Sequence, residues 1–258
     1  MSEVILMRAV DFGESDRIVH LLSPEVGRLT VIAKGARRSI KRFPGTLDLF
    51  NHLRVAVNRR RPGSMAMLEQ ATLLEPFLGL RVQSARYALA SYLLELMDRM
   101  APEGAARPDA QRLFGFVLSA LRTLEGATPN ARLRVLLELR AFDALGLRPE
   151  LARCVRCGER PQGRVAFHVA DGGVICGAHA GERSEGTLPV HVGTLKVLQQ
   201  GLEYDYSRLG RLAFGPQALA EARQLLFRFQ RFHVGIELRS ERFLDESLGW
   251  AGLTPEST

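Results

Sequence analysis

Residues 28–63 read RLTVIAKGARRSIKRFPGTLDLFNHLRVAVNRRRPG. The first seven alternate: Leu29, Val31 and Ala33 lie on one side, and Thr30, Ile32 and Lys34 on the other, as in a half-buried strand. The apolar period then stops and cations take over until Phe43-Pro44-Gly45 marks a turn. A longer strand is expected over 47–57, where Leu53, Val55 and Val57 alternate with Arg54, Ala56 and Asn58, and Pro62-Gly63 closes it. Upstream, 4–10 and 16–23 read as strands around Phe12-Gly13, and downstream 64–74 gives a fifth. Five short strands ending before Pro76 fit a small closed barrel of the OB type, whose strand number is five.

Beyond Pro76 the apolar period changes to that of helices. Ala85, Leu89, Tyr92, Leu93, Leu96, Met97 and Met100 mark one helix, and Leu113, Phe114, Val117, Leu121 and Leu124, after Pro108, mark a second. Thr128-Pro129 reads as the N-cap and first turn of a third that ends at Gly146. Helices are also expected over 188–204 and 216–238, with a short last one capped by Ser240. The fold class is therefore α+β: an N-terminal five-stranded OB-type barrel over 1–80, then a helical domain over 81–250 with a metal-binding insert at 152–182. Residues 251–258 are expected to be a disordered tail.

The charge is not spread evenly. Residues 28–61 hold Arg28, Lys34, Arg37, Arg38, Lys41, Arg42, Arg54, Arg59, Arg60 and Arg61 against one acid, Asp48, a net of +9 where the whole chain carries +7. Everything outside this segment is therefore slightly acidic, and the basic excess belongs to two clusters on expected loops. Lys and Arg on flexible loops follow a phosphate backbone, with counterion release driving much of the binding. Arg28, Lys34, Arg37, Arg38, Lys41, Arg42, Arg59, Arg60 and Arg61 are the candidate nucleic-acid contacts. A solvated charged surface is the bland alternative, and a membrane surface fits worse because no amphipathic helix carries the charge. Aromatic residues are few before Pro76, with Phe12, Phe43 and Phe50 the only ones. Backbone-dominated binding with little sequence preference is expected, with Phe43 and Phe50 assigned to the core.

All three cysteines lie in one pattern, Cys154-x2-Cys157 and, after an 18-residue gap, Cys176-x2-His179. Two such knuckles give the Cys3His set that suits one tetrahedral zinc ion, and four protein ligands leave no position for a catalytic water, so the zinc is expected to be structural. His168 is the secondary choice for the fourth ligand. An odd cysteine count, the absence of an apolar run of about 18–20 residues and an N-terminus without a signal-peptide pattern lead to the expectation of a cytoplasmic protein.

No phosphate-binding loop, dinucleotide fingerprint, HExxH or nucleophile-elbow motif occurs, and no catalytic residue is assigned. Two other readings stand beside nucleic-acid binding without catalysis. Asp11, Glu14 and Asp16 can be read as a magnesium-dependent nuclease site, although they equally decorate a turn and balance nearby arginines, and the basic loops also suit an RNA-binding module.

The chain resembles the RecO family of DNA repair and recombination mediators. The likeness rests on Arg8, Phe12-Gly13-Glu14-Ser15-Asp16-Arg17-Ile18-Val19, Gly27 and Ala33-Lys34-Gly35-Ala36-Arg37-Arg38. It continues through Leu145-Gly146-Leu147-Arg148-Pro149, the Cys154/Cys157 knuckle, Gly172-Gly173-Val174-Ile175-Cys176 and Leu238-Arg239-Ser240-Glu241-Arg242-Phe243-Leu244. The resemblance implies an OB-fold and a helical domain with a zinc finger. It also implies binding to single- and double-stranded DNA, annealing of complementary strands on the nucleoid, and work with RecR to help RecA replace single-strand-binding protein, whose C-terminal tail is a further partner. His179 departs from the pattern, standing where many zinc-bearing relatives have a fourth cysteine.

Overall fold

The computed structural model describes residues 1–39, 41–59, 63–180 and 186–249. By its contacts the chain divides into two compact units, Met1–Thr128 and Pro129–Thr258.

In the first unit, β1 (Ser2–Phe12), β2 (Asp16–Ser23), β3 (Gly27–Ala33), β4 (His52–Asn58) and β5 (Ala66–Glu75) close a barrel in the order β1-β2-β3-β5-β4. All pairings are antiparallel except β3 with β5, which closes the barrel through Val31↔Ala66 and Ile32↔Met67. A bulge between Leu6 and Arg8 bends β1 so that it pairs with β2 along its second half and with β4 at its start. Val4, Leu6, Val19, Leu21, Val31, Leu53, Val55 and Leu68 fill the interior. Their alternation along each strand is what the sequence predicts.

The expected strand over 47–57 begins only at His52. Phe50 has a left-handed backbone, φ 74°, which breaks the extended run, and its buried ring meets Tyr87 edge-on at 5.2 Å. Phe43 and Leu47 turn into the barrel core instead. Two helices, α1 (Ser84–Met100) and α2 (Arg107–Gly126), belong to the same compact unit as the barrel, so this unit extends past the last barrel strand.

In the second unit, α3 (Ala131–Ala144) is capped by Asn130, whose side chain accepts the Leu133 N–H at 3.0 Å. Thr128 therefore lies two residues too early to be the cap. β6 (Val165–His168), β7 (Gly173–Cys176) and β8 (Thr187–Val190) form a sheet ordered β7-β6-β8. The helix expected over 188–204 is in fact β8 followed by α4 (Val192–Glu203): Leu188 and Val190 are buried and Pro189 is exposed, a strand's alternation in too short a run to show a period. α5 (Pro216–His233) and α6 (Arg239–Ser247) complete the unit. Among the described residues no helix is long and apolar enough to cross a membrane.

Candidate nucleic-acid interface and metal centre

Strand register assembles the basic loops. Arg17 pairs with Ala33, and Met67 pairs with both Ile32 and Asn58. The β1–β2 turn, the C-terminal end of β3 and the β4–β5 turn therefore lie at one end of the barrel. Lys34 leaves β3 at that end and opens the loop carrying Arg37, Arg38, Lys41 and Arg42, while Arg59 follows β4 there. Residues far apart in sequence meet because a closed barrel brings alternate strand ends together.

The cations differ in what they touch. Arg37 is tied to the β1–β2 turn: its Nε lies 3.4 Å from Asp11, its guanidinium donates to the Glu14 carbonyl at 3.3 Å, and its N–H donates to the Ser15 carbonyl at 3.0 Å. Asp16 accepts the Gly35 N–H at 2.7 Å, and Gly35 has φ 63°, so a carboxylate and a glycine fix the bend where β3 gives way to the loop. Arg42 donates to the Lys34 carbonyl at 2.5 Å and lies over the Phe43 ring. Lys34, Arg38, Lys41 and Arg59 are exposed and have no ion-pair partner among the described residues. Arg60 and Arg61, also candidates, lie outside the described residues.

Arg28 is placed differently. Its guanidinium donates to the Ala101 carbonyl at 3.2 Å and faces Glu103 at 3.3 Å and Asp98 at 3.9 Å. Asp98 is 6% exposed and also lies 2.6 Å from His20 Nδ1 and 4.0 Å from Arg8. Arg28 thus joins β3 to the end of α1, at the opposite end of the strand from Lys34. No local pattern signals this, because Asp98 sits 78 residues from His20 on an otherwise apolar helix face.

The three acids of the nuclease alternative are engaged or scattered. Asp11 holds Arg17 at 2.9 Å as well as Arg37, and Asp16 holds Gly35. Among the described residues the one group of three or more His, Cys, Asp or Glu side chains close enough to share an ion is Cys154, Cys157, Cys176 and His179.

The donor atoms of that group lie within 4.8 Å of one another. Cys154 Sγ to His179 Nδ1 is 3.7 Å, Cys157 Sγ to Cys176 Sγ is 3.9 Å and Cys176 Sγ to His179 Nδ1 is 3.1 Å. Bonds of about 2.3 Å to sulfur and 2.0 Å to nitrogen set tetrahedral ligand separations near 3.5–3.8 Å, so the four side chains fit an ion such as zinc after small shifts. Each knuckle is a tight turn: Gly158 N–H donates to the Cys154 carbonyl at 2.7 Å, and His179 N–H to the Cys176 carbonyl at 2.9 Å. Gly158 has φ 74°, and at Gly177 a Cβ would stand 3.0 Å from the Arg164 carbonyl oxygen. Burial pushes the Cys154 thiol up, but the N–H groups of Cys176, Cys157 and Arg156 around its sulfur outweigh burial and bring it down to about 6. Cys154 is therefore readied as a thiolate ligand. His168 is occupied elsewhere, its Nδ1 lying 3.0 Å from the Asp171 carboxylate and accepting the Asp171 N–H at 3.1 Å. Of the two candidate histidines, His179 is the one beside the sulfurs.

Comparison with known proteins covers nearly the whole chain. Residues 1–77 match the family model for Recombination protein O N terminal, and residues 81–242 match that for Recombination protein O C terminal. The chain is 35% identical over 243 residues to the DNA repair protein RecO of Anaeromyxobacter dehalogenans (strain 2CP-C), covering 94% of each. It is 32% identical over 248 residues to the RecO of Syntrophus aciditrophicus (strain SB), covering 95% of each. It is 30% identical over 244 residues to the RecO of Bacillus subtilis (strain 168), covering 95% of this chain and 93% of that one.

Proposed function

Because this chain belongs to the RecO family of DNA repair proteins, we propose that it is a non-enzymatic recombination mediator that binds single- and double-stranded DNA at the basic end of its barrel. In this reading it anneals complementary strands and, with RecR, helps RecA displace single-strand-binding protein, engaging that protein's C-terminal tail. It acts on the nucleoid. The observation that carries the DNA-binding part is the gathering of Lys34, Arg38, Lys41 and Arg59, exposed and without acidic partners among the described residues, at one end of a closed barrel. Arg37 and Arg42 shape the loop and present further charge, and Arg60 and Arg61, which follow Arg59 in the sequence, add two more cations. Arg28 is assigned to holding β3 on α1 rather than to DNA.

Such a site needs no reacting group. It lowers the repulsion between two phosphate backbones, so strands can meet and pair, and the free energy comes largely from released counterions. One structural zinc ion, held by Cys154, Cys157, Cys176 and His179, would brace the β6–β7 hairpin and take no part in contacting DNA.

The test is binding of single- and double-stranded DNA across a salt series by a Lys34→Glu, Arg38→Glu, Lys41→Glu variant. Each lost phosphate contact should flatten the dependence of log K on log[salt] by about 0.7–0.9, and affinity should fall for every sequence alike. Unchanged affinity and slope would sink the assignment. Annealing of strands coated with single-strand-binding protein, with and without RecR, tests the mediator role.

A further inference from the structure

The three sulfurs of the metal centre are not equivalent. Cys154 is buried, Cys176 is half-buried and Cys157 is exposed. The difference follows from the hairpin. Cys154 packs with Ala166 and Ile175, and its sulfur accepts the Cys176 N–H at 3.4 Å. Cys176 ends β7 opposite Val165, so strand pairing holds its backbone. Cys157 stands in the turn of the first knuckle, outside any strand or helix. Its Sγ lies 3.9 Å from Cys176 Sγ. Closing that gap to a bond takes a movement of about 2 Å, which the exposed turn can make while β7 stays in place.

The turn that carries Cys157 is fastened by cations. Arg153 donates to the Gly158 carbonyl at 3.2 Å, and Arg156 donates to the His179 carbonyl at 3.2 Å. Both arginines are exposed, as is Arg160 three residues beyond Cys157. Asp171 lies 3.4 Å from Arg156, and Glu159 is exposed two residues from the cysteine. A sulfur that serves as a zinc ligand is a thiolate, and an exposed thiolate in a cationic setting is the one an oxidant reaches first.

Resting on the zinc-binding reading above, we propose that Cys157 and Cys176 form a peroxide-responsive dithiol that unlocks the metal centre. The Cys157 sulfur attacks one oxygen of hydrogen peroxide. An S–O bond forms, the O–O bond breaks, and hydroxide leaves. The Cys176 sulfur then attacks the Cys157 sulfur. An S–S bond forms, the S–O bond breaks, and a second hydroxide leaves. Solvent protons turn both hydroxides into water, and the electron pair lost by the sulfurs is the one gained by the peroxide. Cys154 and His179 remain, and two ligands do not close a tetrahedral site, so the ion is released. A dithiol reductant reverses the step by exchange, regenerating both thiolates and becoming the disulfide itself.

The test uses the full zinc-loaded chain, hydrogen peroxide and a chromogenic zinc chelator. Peroxide should release all of the bound zinc, and dithiothreitol with added zinc should restore it. Trypsin cuts after Arg156 and Arg164, so Cys154, Cys157 and Cys176 fall on separate peptides. After the remaining thiols are alkylated, mass spectrometry should find the Cys157 and Cys176 peptides joined and Cys154 alkylated. Joined peptide and released zinc should rise together. Zinc retained under peroxide, a Cys154–Cys157 link, or Cys157 carried to sulfinic acid without a disulfide would overturn the proposal. A reduced chain that holds no zinc would instead overturn the metal reading, and the peptide map alone would then decide whether the Cys157–Cys176 pair forms.

Discussion

Asp98 shows how much one buried charge decides. It is 6% exposed and is met by His20 at 2.6 Å, Arg28 at 3.9 Å and Arg8 at 4.0 Å, from three strands of the barrel. A buried carboxylate is tolerable only with such partners, and removing one side of a buried charged group leaves the rest uncompensated. Asp98→Ala should therefore destabilise the first unit by about 3 kcal/mol or more, measured by denaturant unfolding. Its binding to DNA under native conditions should stay near wild type, because Lys34, Arg38 and Lys41 lie at the other end of β3. A variant that keeps its stability and loses DNA binding would contradict the assignment of Arg28. At this scale the sequence announced the exposed cations and was silent about which one was taken, since Asp98 and Arg28 meet only in the fold.

The start of α4 is an element held from outside. His191 precedes its first turn, and Glu221 on α5 accepts the His191 N–H at 2.9 Å and the Thr194 hydroxyl at 2.6 Å, with His191 Nδ1 at 2.5 Å. A carboxylate at a helix N-terminus also meets the positive end of the helix dipole. Burial pushes the Glu221 carboxyl up, but these donors outweigh burial and hold it below its ordinary 4.5. A depressed carboxyl contributes stability that is fully present above the unfolded value and is lost as pH falls through the folded one. Stability of the second unit should thus drop on acidification below about 4.5, and Glu221→Gln should flatten that acid limb while costing about 1–2 kcal/mol at neutral pH. Thermal melts across an acid pH series would check both; an unaltered acid limb in the variant would count against the cap. Nothing in the sequence pairs residues 191 and 221, and at this same junction the residues of β8 are too few to show a strand's period.

For the molecule as a whole, two compact units carry separate cores. The barrel unit holds the basic end, and the second unit holds the metal centre. The buried cluster around Cys154, Ala166 and Ile175 is small, so an ion held by the four side chains would add a brace the hairpin's own core does not supply. One zinc ion per chain is expected by elemental analysis. Its removal by chelation, or by Cys157→Ser, should raise hydrogen exchange across residues 154–179 and leave the barrel strands as protected as before. A metal-free protein with an unchanged exchange pattern would refute the bracing role.

Local pattern alone determined the barrel strands, the α+β class and the Cys154, Cys157, Cys176 and His179 set, because alternation, helical period and knuckle spacing are written within a few residues. It also located the basic segment, because charge survives in composition. Tertiary structure decided the rest. Barrel closure chose which loops share an end, the β1–β2 turn tied down Arg37, and α1 claimed Arg28 through Asp98. The physical reason is that pairing across strands links residues distant in sequence, and a single strand's alternation says only which side is buried, not which residues of other strands share the exposed one.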